Sequence, residues 1–170
     1  MKPPYDRSYL DFVVEEQGRL FESLQDERPE VDSADFIVSY LKSSTRRQLD
    51  EGHAYYLTQD AAHLKETFLE ESGYVPKAGT PIRGFAPNWI GQFYARFQWE
   101  TGISSAEALG KVPLKWLVNA YPCLHDLDLG VAVQKVGGGT IERAEDNLKH
   151  ERIRQEPVAG SYPMEDVCWK

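Results

Sequence analysis

Cysteine is nearly absent: Cys123 and Cys168 are the only two in 170 residues. Two cysteines make neither a disulfide framework nor a four-ligand zinc site, so apolar burial has to carry the fold. They read as lone, structurally buried thiols of a reducing compartment. Long apolar runs are missing as well, and no stretch approaches the roughly 20 residues that span a bilayer. The opening Met1-Lys2-Pro3-Pro4-Tyr5-Asp6 has no apolar core of a signal peptide. A soluble, cytoplasmic protein that does not engage a membrane is expected. Basic side chains are in deficit, 19 against 27 acidic ones, for a formal charge of -8. That balance disfavours broad attraction to nucleic acid or anionic lipid. Period-two alternation and hairpin signals are missing too, which leaves helix as the architecture.

Apolar material is plentiful: 41% of the residues are hydrophobic and 12% aromatic, too many for a disordered chain. A domain of this length buries about 70% of its unfolded surface. Leu10, Val13, Val14, Leu20, Phe21 and Leu24 recur at helical spacing from Asp6 to Gln25, with Asp11, Glu15, Glu16, Arg19 and Glu22 on the other side. Asp32 or Ser33 caps a second helix, whose face of Phe36, Ile37, Tyr40 and Leu41 continues to Leu49 and stops at Gly52. Thr58 caps a third, with Leu64 and Phe68 inward and Gly73 as terminator.

Pro76, Gly79, Pro81 and Gly84 mark residues 74 to 86 as an ordered loop. Pro87 then opens the most aromatic helix, with Trp89, Ile90, Phe93, Tyr94, Phe97 and Trp99, ending at Gly102. Ser104 and Glu107 stand in capping-box relation before a short helix. Pro113 opens another, closed by Pro122, and Asp126 or Asp128 caps a last core helix ending near Val136. The expectation is an all-α, compact bundle of about six or seven helices over residues 1–136. Gly137-Gly138-Gly139 reads as a flexible linker, and 140–170 as a charged helix and tail carrying Trp169.

Several groupings invite chemistry. Cys123, His125 and Asp126 could supply nucleophile, base and orienter, but nucleophile and base are two residues apart and the surroundings carry no catalytic signature. His53, His63, His125, Asp126 and Asp128 lack the helical spacing of a metal site. Gly137 to Ile141 lacks the Gly-Lys-Ser/Thr ending of a phosphate loop. Ser43-Ser44-Thr45-Arg46-Arg47 could form an anion-binding edge, although adjacent arginines on a helix point about 100° apart. Residues 104–121 match helix-turn-helix spacing, with only Lys111, Lys115 and Asn119 to meet DNA. Trp89, Trp99 and Trp116 cannot all share one buried stripe, so one or more belongs in a groove or an interface.

Asp35-Phe36-Ile37, Tyr40-Leu41, Pro87-Asn88-Trp89-Ile90-Gly91-Gln92-Phe93-Tyr94, Ile103-Ser104-Ser105-Ala106-Glu107, Val112-Pro113-Leu114 and Leu124-His125-Asp126 together resemble an uncharacterised family of small helical bacterial proteins. The resemblance covers residues 33–136. It implies an accessory or antitoxin-like component of a bacterial gene pair.

The expected function is a non-enzymatic protein-interaction module, with no catalytic or metal-binding residues and no cofactor. The alternatives are a DNA-binding regulator using residues 104–121 and a small enzyme using Cys123, His125 and Asp126. Candidate binding residues are Arg46, Trp89, Tyr94, Trp116, Tyr121, His125, Asp126 and Trp169. Residues 1–70 hold 15 acidic and 8 basic side chains, against 5 and 6 in 71–139, so the expected partner is a protein with a basic surface, and DNA is disfavoured.

Overall fold

The computed structural model describes residues 2–28 and 30–137, and helix is their dominant structure. A 3-10 turn, Arg7–Tyr9, leads into α1 (Leu10–Glu27), α2 (Ser33–Leu41), α3 (Ser44–Asp50) and α4 (Ala54–Leu57). There follow α5 (Ala61–Ser72), α6 (Ala86–Thr101), α7 (Ser105–Lys111), α8 (Leu114–Leu124) and α9 (Leu129–Gly137). The all-α expectation holds. Among the described residues the one β feature is an isolated bridge between Val31 and Ala78. Residues 138–170, with the rest of the expected linker, the tail and Trp169, lie outside the described residues. Gly137 itself is the last residue of α9 rather than linker.

Caps explain most boundaries. Asp32 accepts from Asp35 N at 3.0 Å, and Ser104 with Glu107 completes the expected capping box. Gly73 and Gly102 end α5 and α6 in the left-handed conformation, at φ 63° and 66°. Three boundaries differ from expectation. The helix read from Ser33 to Leu49 is two, because Ser43 Oγ donates to Tyr40 O at 2.7 Å and accepts from Arg46 N at 3.1 Å. One hydroxyl thus closes α2 and caps α3, a competition that pattern alone does not reveal. Asp60, not Thr58, caps α5 (2.9 Å from His63 N), since Thr58 Oγ1 is turned back to Ala54 O. Pro122 removes a donor from the last turn of α8 without ending it. Of the two caps expected for α9, Asp128 serves, at 2.9 Å from Gly130 N.

α6 is the axis of the core, as its aromatic content suggests. Ile90, Phe93, Tyr94, Ala95 and Phe97 have no exposed surface at all. α1 lies along it antiparallel: Leu10 and Val14 pack with Ala95, Gln17 meets Gly91, and Glu22 meets Asn88. The crossing is close because glycines face it from both sides. A Cβ on Gly91 would stand 2.6 Å from Gln17 O, and one on Gly18 would stand 2.9 Å from Asn88 O. Gln17 Nε2 donates to Gly91 O at 2.8 Å within this contact.

Glu16 and Glu22, read from the pattern as outward, are respectively buried and half-buried. Glu16 Oε2 accepts at 2.7 Å from Ala61 N, the first amide of α5, while its Oε1 accepts from Arg19. This carboxylate therefore fixes α5 against α1 and satisfies a helix terminus. The loop after α5 is ordered as expected. Asp32 N donates to Lys77 O at 2.8 Å, Gly79 N donates to Glu30 O at 2.9 Å, and the Tyr74 hydroxyl donates to Asp35 at 2.7 Å.

Replacing Gly91 with alanine drives a methyl into the α1 backbone, which cannot give way as a side-chain tip could. The Gly91→Ala variant is expected to lose about 1–3 kcal/mol of stability in urea unfolding. Gly110→Ala, where nothing lies within 4 Å of the added methyl, serves as the tolerated control.

Candidate functional site

Among the described residues the largest fully buried side chain is Arg46. Its sequence surroundings allowed an anion-binding edge on a solvated helix face, but it points inward from α3 with no exposed surface, while Arg47 stays outside. Adjacent helical positions diverge, so one arginine can be entirely internal beside a solvated one. Nε of Arg46 donates to Ser105 Oγ at 2.7 Å, and it stands 3.3 Å from Asp50 Oδ1, one turn along α3. Asp50 in turn accepts from the Ser105 hydroxyl and the Ser105 amide, each at 2.7 Å. Arg46 Nη2 reaches Gln98 Oε1 at 3.5 Å, and Gln98 Nε2 donates to Ile103 O at 3.1 Å. The group thus joins α3 to α6 and to the start of α7.

Tyr5 and Tyr40 cover the same guanidinium. Burial pushes the Tyr40 phenol up to about 12, with Arg46 opposing, and raises Tyr5 in the same way. Burial also raises Asp50, although Arg46 and the Ser105 bonds pull it down. Arg46 remains cationic: burial works against its charge, and Asp50 with the two phenols outweighs that. The N-terminal segment is seated over this group by two contacts. Trp99 Nε1 donates to Tyr5 O at 3.0 Å, and Pro4 O lies so close to Gly52 that a Cβ there would stand 2.5 Å from it.

A second grouping runs from the core to the surface. Trp89, Tyr121, His125 and Asp126 were expected at binding positions, and the fold does bring them together. Trp89 packs on Phe93 (centroids 5.4 Å apart) and edge-on to Tyr121 (5.6 Å), which stacks on His125 at 4.6 Å. His125 Nδ1 lies 2.9 Å from Tyr121 O, and its Nε2 lies 3.2 Å from the exposed Asp126 carboxylate. Both ring nitrogens are engaged locally. Tyr94 touches this row through Phe93, but its hydroxyl is directed inward, donating to Val112 O at 2.5 Å. Trp116 is half-buried against the core. Cys123 is half-buried and its sulfur is disulfide-bonded, so the lone thiol expected there is not presented for nucleophilic attack.

Other expectations resolve into local pairing. His53 sits 3.3 Å from Glu51, and His63 sits 2.7 Å from its own helix cap Asp60. Among the described residues no three His, Cys, Asp or Glu side chains form a group that could hold a metal ion. α7 and α8 each pack on α6. A surface groove of about 200 Å³ lies between α1 and α5, floored by Leu24, Phe36 and Leu69 and rimmed by Arg28, Lys65 and Val75. Among the described residues no helix is long and apolar enough to cross a membrane.

Sequence reasoning found Arg46 but not its burial. The Asp50 partner four residues on was a legible signal. Ser105, Tyr5 and Tyr40 were not, since nothing local marks them as neighbours of residue 46. No family model, curated protein or solved structure matches this chain.

Two outcomes follow from the buried group. Arg46→Leu leaves Asp50 buried with its cation gone and is expected to cost about 3–5 kcal/mol in denaturant unfolding, whereas Arg46→Leu/Asp50→Leu recovers much of that loss. The phenols set an alkaline limit. Tyr40 binds its proton more tightly folded than unfolded, so its contribution is fully present below about pH 10 and is lost as pH rises through about 12. Urea midpoints between pH 9 and 12 should fall across that window. Tyr40→Phe should remove up to about 2–3 kcal/mol of the dependence.

Proposed function

We propose that this chain is a non-enzymatic protein-interaction module, antitoxin-like or regulatory, that presents its acidic N-terminal helices to a basic protein partner. The observation that carries this reading is where the charges of residues 1–70 go. Arg46 and Asp50 are buried as a pair whose charges cancel, so the acidic surplus is carried by the surface. The acidic side faces outward: Asp11, Glu15, Glu27, Glu51, Asp60, Glu66 and Glu70 are all exposed. On α5, Glu66 and Glu70 stand one turn apart with Glu71 beside them. An acidic surface of this kind favours encounter with a basic one and repels nucleic acid.

The polar groups that resembled chemistry support the same reading. Arg46, Tyr94 and His125 are committed to partners within the fold, as structural groups are. The proposal includes a role in partner binding for residues 140–170.

Co-purification from the native cell tests this reading, with the captured partner compared across variants. Glu66→Lys/Glu70→Lys should weaken capture by roughly tenfold or more, through like-charge contact with a basic partner. Deleting residues 140–170 should weaken it as well, and Lys111→Glu/Lys115→Glu should leave it unchanged. Capture insensitive to the charge reversal on α5, or lost on reversal at Lys111 and Lys115, overturns the reading.

A further inference from the structure

The groove between the end of α1 and α5 has walls fixed from several directions. Phe36 forms part of its floor with no exposed surface, beside the buried Leu24. The Tyr74 ring stands edge-on to Phe36, with centroids 5.8 Å apart, and stacks on Phe68 at 5.4 Å. Its hydroxyl is tied to Asp35 at 2.7 Å, and the backbone after it is pinned to the start of α2 by Asp32 N donating to Lys77 O. Such a wall is in place before anything binds, so docking costs little ordering of the protein. Val75, at the lip, is 72% exposed, and Leu69 is half-buried. Apolar surface therefore runs from the lip to a closed floor.

Size and charge together select the occupant. A volume of about 200 Å³ is below the roughly 300–1,000 Å³ of small-molecule sites and suits one large side chain of a partner. The lysines at and beside the groove are already matched: Lys65 pairs with Glu27, and Lys77 stands 3.3 Å from Asp35. That leaves Arg28 against Glu30, Glu66 and Glu70, all exposed and none in an ion pair among the described residues. Glu66 and Glu70 each follow a groove residue, Lys65 and Leu69, by one position, so they stand on the ridge of α5 beside the groove. An anion seated there meets a negative surplus, whereas a cation beside an apolar anchor is attracted by it.

We infer that this groove is the seat for a single aromatic side chain of a basic partner segment, whose Lys or Arg neighbours meet Glu66 and Glu70. The inference rests on the interaction-module reading and names the seat within it. Leu24, Phe36 and Tyr74 take the ring by burial and edge contacts, and Val75 covers its outer edge. The α5 carboxylates give the encounter its charge preference, and the buried anchor sets its lifetime.

Two probes with the same ring and opposite charge test this on the full chain: tryptamine and indole-3-acetate, titrated at low salt and followed by NMR of labelled leucine and valine methyls. Both should shift Leu24, Leu69 and Val75, with tryptamine binding roughly threefold or more tighter, as exposed charge contacts allow. Glu66→Gln/Glu70→Gln, on an exposed ridge, should erase that preference and keep the ring-induced shifts. Leu69→Trp, which fills the groove, should abolish the shifts from both probes. Indole-3-acetate binding as tightly as tryptamine, or more tightly, overturns the inference, since Arg28 then makes an anion site. Shifts absent at all three residues with either probe overturn it as well. If they are absent while charge reversal at Glu66 and Glu70 still weakens partner capture, the groove fails and the module reading stands. A tryptamine preference with capture insensitive to that reversal keeps the groove and removes the module reading.

Discussion

The closeness of α1 to α6 is the constraint on which the rest of the structure depends. Two helices ordinarily pack 8–10 Å apart, held off by their side chains. Here Gly18 and Gly91 remove the side chains at the crossing, and Gln17 donates across it to the Gly91 carbonyl. Everything else is built outward from that pair. α6 gives its aromatic faces to α7, α8 and α9, and α1 gives Glu16 to the first amide of α5. A side chain at either glycine would displace the helix that positions both halves of the core.

A second, polar nucleus complements that contact. Arg46, Asp50, Ser105 and Gln98 tie together elements that share little apolar surface, and Tyr5 brings the N-terminus into the same network. A buried ion pair contributes little net stability, because desolvation offsets the attraction. Its effect is to specify geometry: any other register of α3 against α7 would leave a cation, a carboxylate or a hydroxyl unpaired in the interior. The fold thus uses a close helix crossing for adhesion and a buried polar cluster to select one arrangement.

The candidate site was unevenly legible. Trp89 and Tyr121 were readable as packing partners because aromatic residues at helical spacing on two neighbouring helices tend to meet. His125 and Asp126 followed from adjacency in the chain. Arg46 was readable as a distinctive residue and misread in place, since hydropathy puts arginine outside and only an internal carboxylate and hydroxyl make the opposite affordable. Glu16 was misread for the same reason, its partner being the start of a helix 45 residues away.

By itself the sequence determined the helical class, the central role of the aromatic helix from Ala86 to Thr101, the capping box at Ser104 and Glu107, and the stops at Gly73 and Gly102. These rest on periodicity and on single residues acting within a turn or two, which are local properties of the chain. Tertiary structure alone decided that residues 33–50 break at Ser43, that Gly18 and Gly91 are contact surfaces, and that Arg46 and Glu16 are interior. Those outcomes depend on hydrogen bonds and close approaches between residues far apart in the chain, where a buried charge is tolerated only when its distant partner arrives. The physical reason is that the cost of burial is set by the neighbours a residue meets, and a linear pattern carries no record of them.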